Sequence, residues 1–305
     1  MILITNNFQA LQEYRKIKDK AIRRLLLLAG LSVILFLGGI FSMLFYYGVQ
    51  AFKEVSFSGF FMSNNWNPSG YDQSAYGILS MVVSTLFVSL GAMVIAIPIG
   101  VGTAAYISEI AKPAVRETLK PIIEILASIP SVVIGFFGIV FLGPLIAKTF
   151  GLTAGLNALN GSFLLAFMAL PTIISVSEDA IRSVPEEYKA ASTALGATKW
   201  YTLVKVVIPA ASSGIIASIM LGFGRAIGET MTVLMATGNA LRMPGNIFDS
   251  VRTMTANIAI ELGEVPYNTT HYYSLFAVGL ILFILTMLVN FMADRITQHV
   301  GRHKL

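Results

Sequence analysis

The sequence contains no cysteine, and that absence excludes a disulfide framework, a thiolate metal site and a cysteine nucleophile. Charge is scarce: Asp, Glu, Lys and Arg make up 12% of the 305 residues, about half of what a soluble domain carries. Histidine occurs three times, at His271 in an outer segment and at His299 and His303 near the C-terminus, placements unsuited to a shared metal or a catalytic dyad. No Gly-x-x-x-x-Gly-Lys-Ser/Thr stretch is present to cradle nucleotide phosphates. The chain is therefore expected to be no enzyme, to hold no metal, and to bind no cofactor of its own. A net charge of +5 could suggest a nucleic-acid partner, but no stacking platform or basic groove is readable, and the basic residues sit beside apolar runs.

What the chain has in excess is apolar length. Hydrophobic residues reach 55%, gathered in runs that match the ~20 residues a helix needs to cross a bilayer. Six transmembrane helices are expected: Ile22 to Tyr47, Tyr76 to Tyr106, Pro121 to Leu142, Gly161 to Ile181, Ala211 to Ala236 and Tyr272 to Met292. Unbroken runs such as Leu79 to Ala105 exclude a β-barrel, whose strands alternate, so the fold class is an all-α integral membrane protein. The first run is too long for the apolar part of a signal peptide and is expected to remain as an anchor. Sixteen Lys and Arg fall on one side of this arrangement and four on the other, with Arg225 alone inside a span. The excess of basic residues marks the cytoplasmic side, which puts both termini there. The divisions expected are a cytoplasmic tail 1–21, a first transmembrane helix 22–49, an extracytoplasmic segment 50–75, a core 76–294 and a cytoplasmic tail 295–305. Within the core lie a cytoplasmic loop 182–209 and an outer loop 239–271.

Three polar features carry mechanism. The cytoplasmic loop reads as helix, turn, helix: Pro185 opens it, Glu186 and Glu187 suit a first turn, and Gly196 reverses the chain. Its small residues and the apolar side chains after them suggest a partner in the cytoplasm, although a helix pair folded back on its own bundle would use them equally well. In segment 50–75, Phe60 and Trp66 stand among asparagines, which suits either docking of an extracytoplasmic binding protein or an aromatic belt at the membrane surface. Arg225 lies 14 residues after Ala211, about 21 Å at 1.5 Å per residue, near the bilayer midplane. A charge there costs about 2.5–3.5 kcal/mol on insertion scales and calls for a partner or a function. Glu229, four residues on, would share its helix face. The pair is either a structural ion pair or part of a substrate site, where a guanidinium suits bidentate recognition of oxyanions. Glu124, near the inner end of the third span, is a further candidate, though hydration at that depth would also account for it.

The segment Pro185 to Pro209 resembles the EAA loop of ABC importer permeases, with Ala191 and Ser192 in the two alanine positions and Gly196 and the Val206-Val207-Ile208-Pro209 ending at the family's separation. Ala190 stands where the family usually has Glu. A narrower resemblance, from about Tyr76 to Asn239, is to the phosphate-specific (Pst) permeases. It is carried by Gly224-Arg225-Ala226-Ile227-Gly228-Glu229-Thr230-Met231, by Ser128 to Gly135 and by Ser177 to Pro185. Trp66-Asn67-Pro68 and Met235-Ala236-Thr237-Gly238-Asn239 look most like the C-type subunit. The resemblance implies a type I ABC importer permease fold and a channel-forming subunit that passes inorganic phosphate across a bacterial inner membrane. A permease for molybdate or sulfate, or an ion-coupled secondary transporter, is the alternative. It also implies that Ala190, Ala191, Ser192, Leu195, Gly196, Ala197 and Lys199 engage a cytoplasmic ATPase. The implied partners are a second homologous permease, two copies of that ATPase with its ATP and Mg, and an extracytoplasmic phosphate-binding protein.

Overall fold

The computed structural model describes residues 2–70 and 74–302, with side chains described from residue 18 to 298 within those ranges. The basic side chains before Lys18, and His299 and His303 near the C-terminus, lie outside the described side chains. The first described element is a long helix, α1 (Ile2–Ala51), so residues 2–21 of the expected tail continue the first membrane helix. A short α2 (Phe57–Met62) and a two-stranded antiparallel ribbon, β1 (Trp66–Asn67) with β2 (Ala75–Tyr76), follow on the outer side. Trp66 pairs with Tyr76 and Asn67 with Ala75. Next come α3 (Leu79–Ala105) and a π-turn (Tyr106–Ile110), then α4 (Pro113–Ser128). α5 (Ser131–Phe137) and α6 (Gly143–Phe150) are joined by a second π-turn (Gly138–Leu142). α7 (Ala158–Arg182) leads to α8 (Glu186–Ala194) and α9 (Lys199–Thr202), and a third π-turn (Leu203–Val207) leads to α10 (Ile208–Ala210). α11 (Ser212–Gly228), α12 (Met231–Ala236), α13 (Met254–Glu261) and α14 (Thr270–Arg302) complete the fold.

Among the described residues five helices are long and apolar enough to cross a membrane: Lys18–Ala51, Leu79–Ile110, Ser131–Phe150, Ala158–Arg182 and Thr270–Gln298. Lys199–Ala210 and Ser212–Gly228, bent by 69° at their junction, are together long and apolar enough for a sixth, broken crossing. Six crossings were expected, and two of those stretches are broken where a continuous helix was expected. The third was placed at Pro121 to Leu142, but α4 stops at Ser128 and the crossing starts at Ser131. Pro130 is the cause: it cannot donate a backbone hydrogen bond and forces Ile129 out of the helical region, to ψ 125°. The fifth was placed as one helix from Ala211 to Ala236. It is interrupted after Gly228, where Glu229 is extended at ψ 136°.

The centre of the bundle is α3 against α7, with α11 packed on both. Small residues let the backbones approach: Ala92, Ala96, Ala166 and Ala169 are buried, and a Cβ on Gly91, Gly100 or Gly222 would collide with Ser162 or Ile173. α1 packs mainly against α14, and near its outer end Gly48 brings Ala277 backbone atoms to within 3.1–3.2 Å of the place its own Cβ would take. Phe41 meets Phe283 at 5.6 Å between ring centroids. The outer segments form a separate apolar cap in which Phe60, Trp66, Ile78, Met81, Met254 and Leu275 are buried together.

Candidate functional site

Arg225 sits in the last turn of α11 and is exposed on this chain. Its Nη1 reaches the Thr172 hydroxyl on α7 at 3.4 Å. Glu229 was expected to pair with it, but no ion pair joins the two among the described residues. A side chain four positions on shares a helix face only while the helix continues, and this helix ends at Gly228. The Glu229 carboxylate instead accepts from the Thr232 backbone N–H at 3.4 Å, and its carbonyl accepts from the Thr255 hydroxyl at 2.7 Å. Both residues line one narrow cavity, too small to hold a water, together with Leu165, Met168, Ala169 and Ala226.

The two helix breaks lie against each other. The Thr232 hydroxyl at the start of α12 donates to the Ser131 carbonyl at the start of α5, 3.2 Å away. Gly135 permits the contact, because a Cβ there would stand 2.8 Å from Met235 Sδ and 3.3 Å from the Met231 carbonyl. Glu124 takes no part in this site: it is exposed on α4, before the third crossing begins.

In the loop expected on the cytoplasmic side, α8 and α9 make the expected helix, turn and helix. Gly196 has φ +82°, a left-handed conformation that glycine adopts without strain, and Thr198 caps α9 by accepting from the Tyr201 N–H. Leu195 is 90% exposed at the tip, with Tyr188, Trp200 and Tyr201 also exposed around it. Ala190, Ala191 and Lys199 are exposed as well, and Ala197 is half-buried. Ser192 departs from expectation: it is buried, and its Oγ lies 2.9 Å from the Thr202 hydroxyl, where it fastens α8 to α9. Lys189 is held between Glu109 at 2.8 Å and Glu186 at 2.9 Å. Burial lowers the pKa of that ammonium, but the hydrogen bonds and charges of Glu109 and Glu186 outweigh it, so Lys189 stays charged with its pKa above the ordinary lysine value.

The outer segment corrects a second expectation. Phe60 is fully buried and Trp66 is 3% exposed, so neither side chain presents itself to a docking protein. Trp66 Nε1 donates to both carboxylate oxygens of Glu261, at 3.1 and 2.9 Å. Glu261 also holds Arg252 at 3.0 Å and His271 at 2.8 Å. Burial pulls the Arg252 pKa below its ordinary value, and Glu261 opposes that shift. The Arg252 Nε donates to the Asn239 carbonyl at 2.9 Å, which anchors the chain just beyond α12. Thr172, Thr255, Glu109 and Glu261 gave no signal of their own in the sequence. Each acquires its role from a partner distant in the chain.

Residues 96–302 match the family described as "Binding-protein-dependent transport system inner membrane component". The chain is 35% identical over 277 residues to a probable ABC transporter permease protein, YqgH, of Bacillus subtilis, covering 89% of this chain and 87% of that protein. It is 33% identical to the phosphate transport system permease protein PstC of Mesorhizobium japonicum, covering 96% and 98% of the two chains. The fold resembles solved ABC importers. One is a bacterial transporter involved in import of the acidic polysaccharide alginate, with a TM-score of 0.62, 15% identity and coverage of 93% of this chain and 99% of that one. Another is the MetNI methionine transporter, with a TM-score of 0.55, 24% identity and coverage of 73% and 94%.

Proposed function

The chain belongs to the family of binding-protein-dependent transport system inner membrane components, and from that premise we propose that it is the channel-forming permease subunit of an ATP-driven phosphate importer. Relatives named as phosphate permeases align over most of its length and support the choice of substrate. The observation that carries the reading is the state of Arg225. It is an arginine within a membrane-crossing helix, exposed on this subunit, and its described polar partner is one neutral hydroxyl at 3.4 Å. A guanidinium has five N–H donors in a planar fork that fits two oxygens of a phosphate, and here most of them are unspent. A second permease packed on this exposed side of Arg225 would bring a matching arginine, and the two would balance an anion carrying between one and two charges near neutral pH.

Glu229 lines the same cavity without neutralising Arg225, which leaves the guanidinium available to the ion. The breaks at Ile129-Pro130 and Glu229-Thr230 give the chain two joints beside Arg225, where the path can change shape without unwinding a helix. ATP hydrolysis belongs to a partner: α8, α9 and the turn between them present Tyr188, Leu195 and Trp200 as an apolar knob on an aqueous surface, suited to a groove on a cytoplasmic ATPase. With the knob in the cytoplasm both termini would lie there too, the side that the distribution of Lys and Arg favours. An extracytoplasmic phosphate-binding protein would deliver the ion from the opposite side.

The test is uptake of labelled inorganic phosphate at matched membrane abundance. Arg225→Lys keeps the charge but not the fork, and should lose most uptake. Arg225→Ala with Glu229→Ala removes both charges and should also be inactive. Near-native uptake by that double variant would show the two residues to be structural and defeat the reading. Competition by sulfate or molybdate as effective as by unlabelled phosphate would reassign the substrate.

A further inference from the structure

Helix α8 is fastened to the membrane-crossing part of the chain at two places, and each lies at a π-turn. The first tie is Ser192 to Thr202, immediately before the π-turn Leu203–Val207 that leads through α10 into α11 and so to Arg225. The second is Lys189 to Glu109, and Glu109 lies within the π-turn Tyr106–Ile110 that ends the second crossing. π-turns are rare, stretch the helix locally and leave carbonyls without their usual partners. Here the Ala111 N–H bonds the Tyr106 carbonyl five residues back, at 2.8 Å. Arg116 of α4 takes up the next two carbonyls, donating from Nε to Ile107 at 2.9 Å and from Nη2 to Ser108. The turn carrying Glu109 is thus clamped to α4, the helix that runs to the Pro130 joint.

Between the two ties lies a cavity of about 580 Å³, lined by Ile110, Thr193, Trp200, Leu203 and Val207. Helix α8 is held across this space by polar contacts at its edges, and the space leaves it room to move. The Lys189–Glu109 pair is largely shielded, with side chains 17% and 19% exposed, so water and salt screen it less than a surface pair. Lys189 has a second carboxylate within reach, Glu186 on its own helix, which is 85% exposed and free to follow it. An apolar contact can slide, whereas a shielded charge pair fixes one position or lets go. The ammonium can therefore leave Glu109 and stay paired.

We propose that Lys189 and Glu109 are positioning residues through which movement of α8 reaches the second crossing and α4, with Glu186 keeping Lys189 paired when Glu109 releases it. This rests on the reading that α8 engages an ATPase. The experiment uses the complete importer in liposomes, with second permease, ATPase and binding protein, and records ATP hydrolysis and uptake of inorganic phosphate in the same vesicles. Lys189→Ala and Glu109→Ala should each lower the phosphate moved per ATP by about tenfold, the size expected when contacting charges are uncoupled. The ATPase should remain bound. Lys189→Arg should retain the native ratio, and the reversed pair Glu109→Lys with Lys189→Glu should regain it in large part. A contact needed only for folding would instead lower the amount of assembled complex at an unchanged ratio, and that result would overturn the proposal. So would a reversed pair no better than the worse single variant.

A second readout does not depend on the transported ion. Spin labels at Thr193→Cys and Ile110→Cys face the cavity from α8 and from the second crossing, in a chain with no other cysteine. Their separation should change on ATP binding, and Glu109→Ala should abolish the change. A native pair whose separation ignores ATP would overturn the relay. A complex that shows the distance change but moves no phosphate would defeat the phosphate reading alone.

Discussion

Glu261 accepts from three donors that come from three parts of the chain: Trp66 on the ribbon, Arg252 before α13 and His271 at the start of α14. A carboxylate 16% exposed and so placed binds the outer cap to the bundle. Removing one member of a shielded pair leaves the other charge uncompensated, so Glu261→Gln should destabilise the subunit by about 2–4 kcal/mol. Trp66→Phe keeps the ring in its pocket and loses only the Nε1 hydrogen bonds, a cost of about 1–2 kcal/mol. Thermal unfolding of the detergent-solubilised subunit should order them native, Trp66→Phe, Glu261→Gln. The reverse order would mean that the ring and not the carboxylate holds the cap. Trp66 among asparagines reads as a surface residue in the sequence because its partner stands 195 residues away, and no local pattern can reveal such a contact. Arg225 and Glu229 show the opposite error. Their spacing is legible, yet their pairing fails because the helix that would make them neighbours stops between them.

Elements were legible where one physical signal decided them. Long apolar runs gave the crossings, and Gly196 gave the cytoplasmic turn. Breaks inside apolar sequence were harder. Ile122 and Ile125 continue the apolar run before Pro130, although α4 exposes both of them, and Gly-Glu-Thr sits between apolar residues on either side. The turn itself offers a clean test. A Cβ on Gly196 would meet nothing within 4 Å, so substitution there acts through backbone strain alone. Left-handed geometry costs a residue with a Cβ about 1–2 kcal/mol, and asparagine tolerates it best. Gly196→Asn should therefore support nearly native transport, and Gly196→Val should uncouple ATP hydrolysis from uptake while the subunit remains in the membrane. If Gly196→Val removed the subunit from the membrane, the turn would be needed for folding and its role in coupling would lose its support.

At the scale of the whole molecule, surfaces separate by what surrounds them. The apolar faces of α1 and of the third crossing, Val140 among them, are exposed at membrane depth, where lipid or another subunit covers them. Leu195 is more exposed than either, 90%, but it stands at the tip of a helix-turn-helix that begins with two glutamates and carries lysines, in a region where water is the solvent. A large aliphatic side chain held out on an aqueous surface by a glycine turn needs a protein to cover it. The absence of native cysteine makes the claim directly testable. Leu195→Cys should cross-link to the ATPase in the assembled importer and resist a lipid-soluble probe. Val140→Cys should react with that probe, or cross-link to the second permease, and never reach the ATPase. Ser192→Cys, three residues before Leu195 in the same loop but buried against Thr202, should do neither until the loop is disrupted. Cross-linking at Ser192 equal to that at Leu195 would mean that α8 leaves its Thr202 contact when it docks. Labelling of Leu195 by the lipid probe alone would place the knob in the membrane and remove the ATPase from this face.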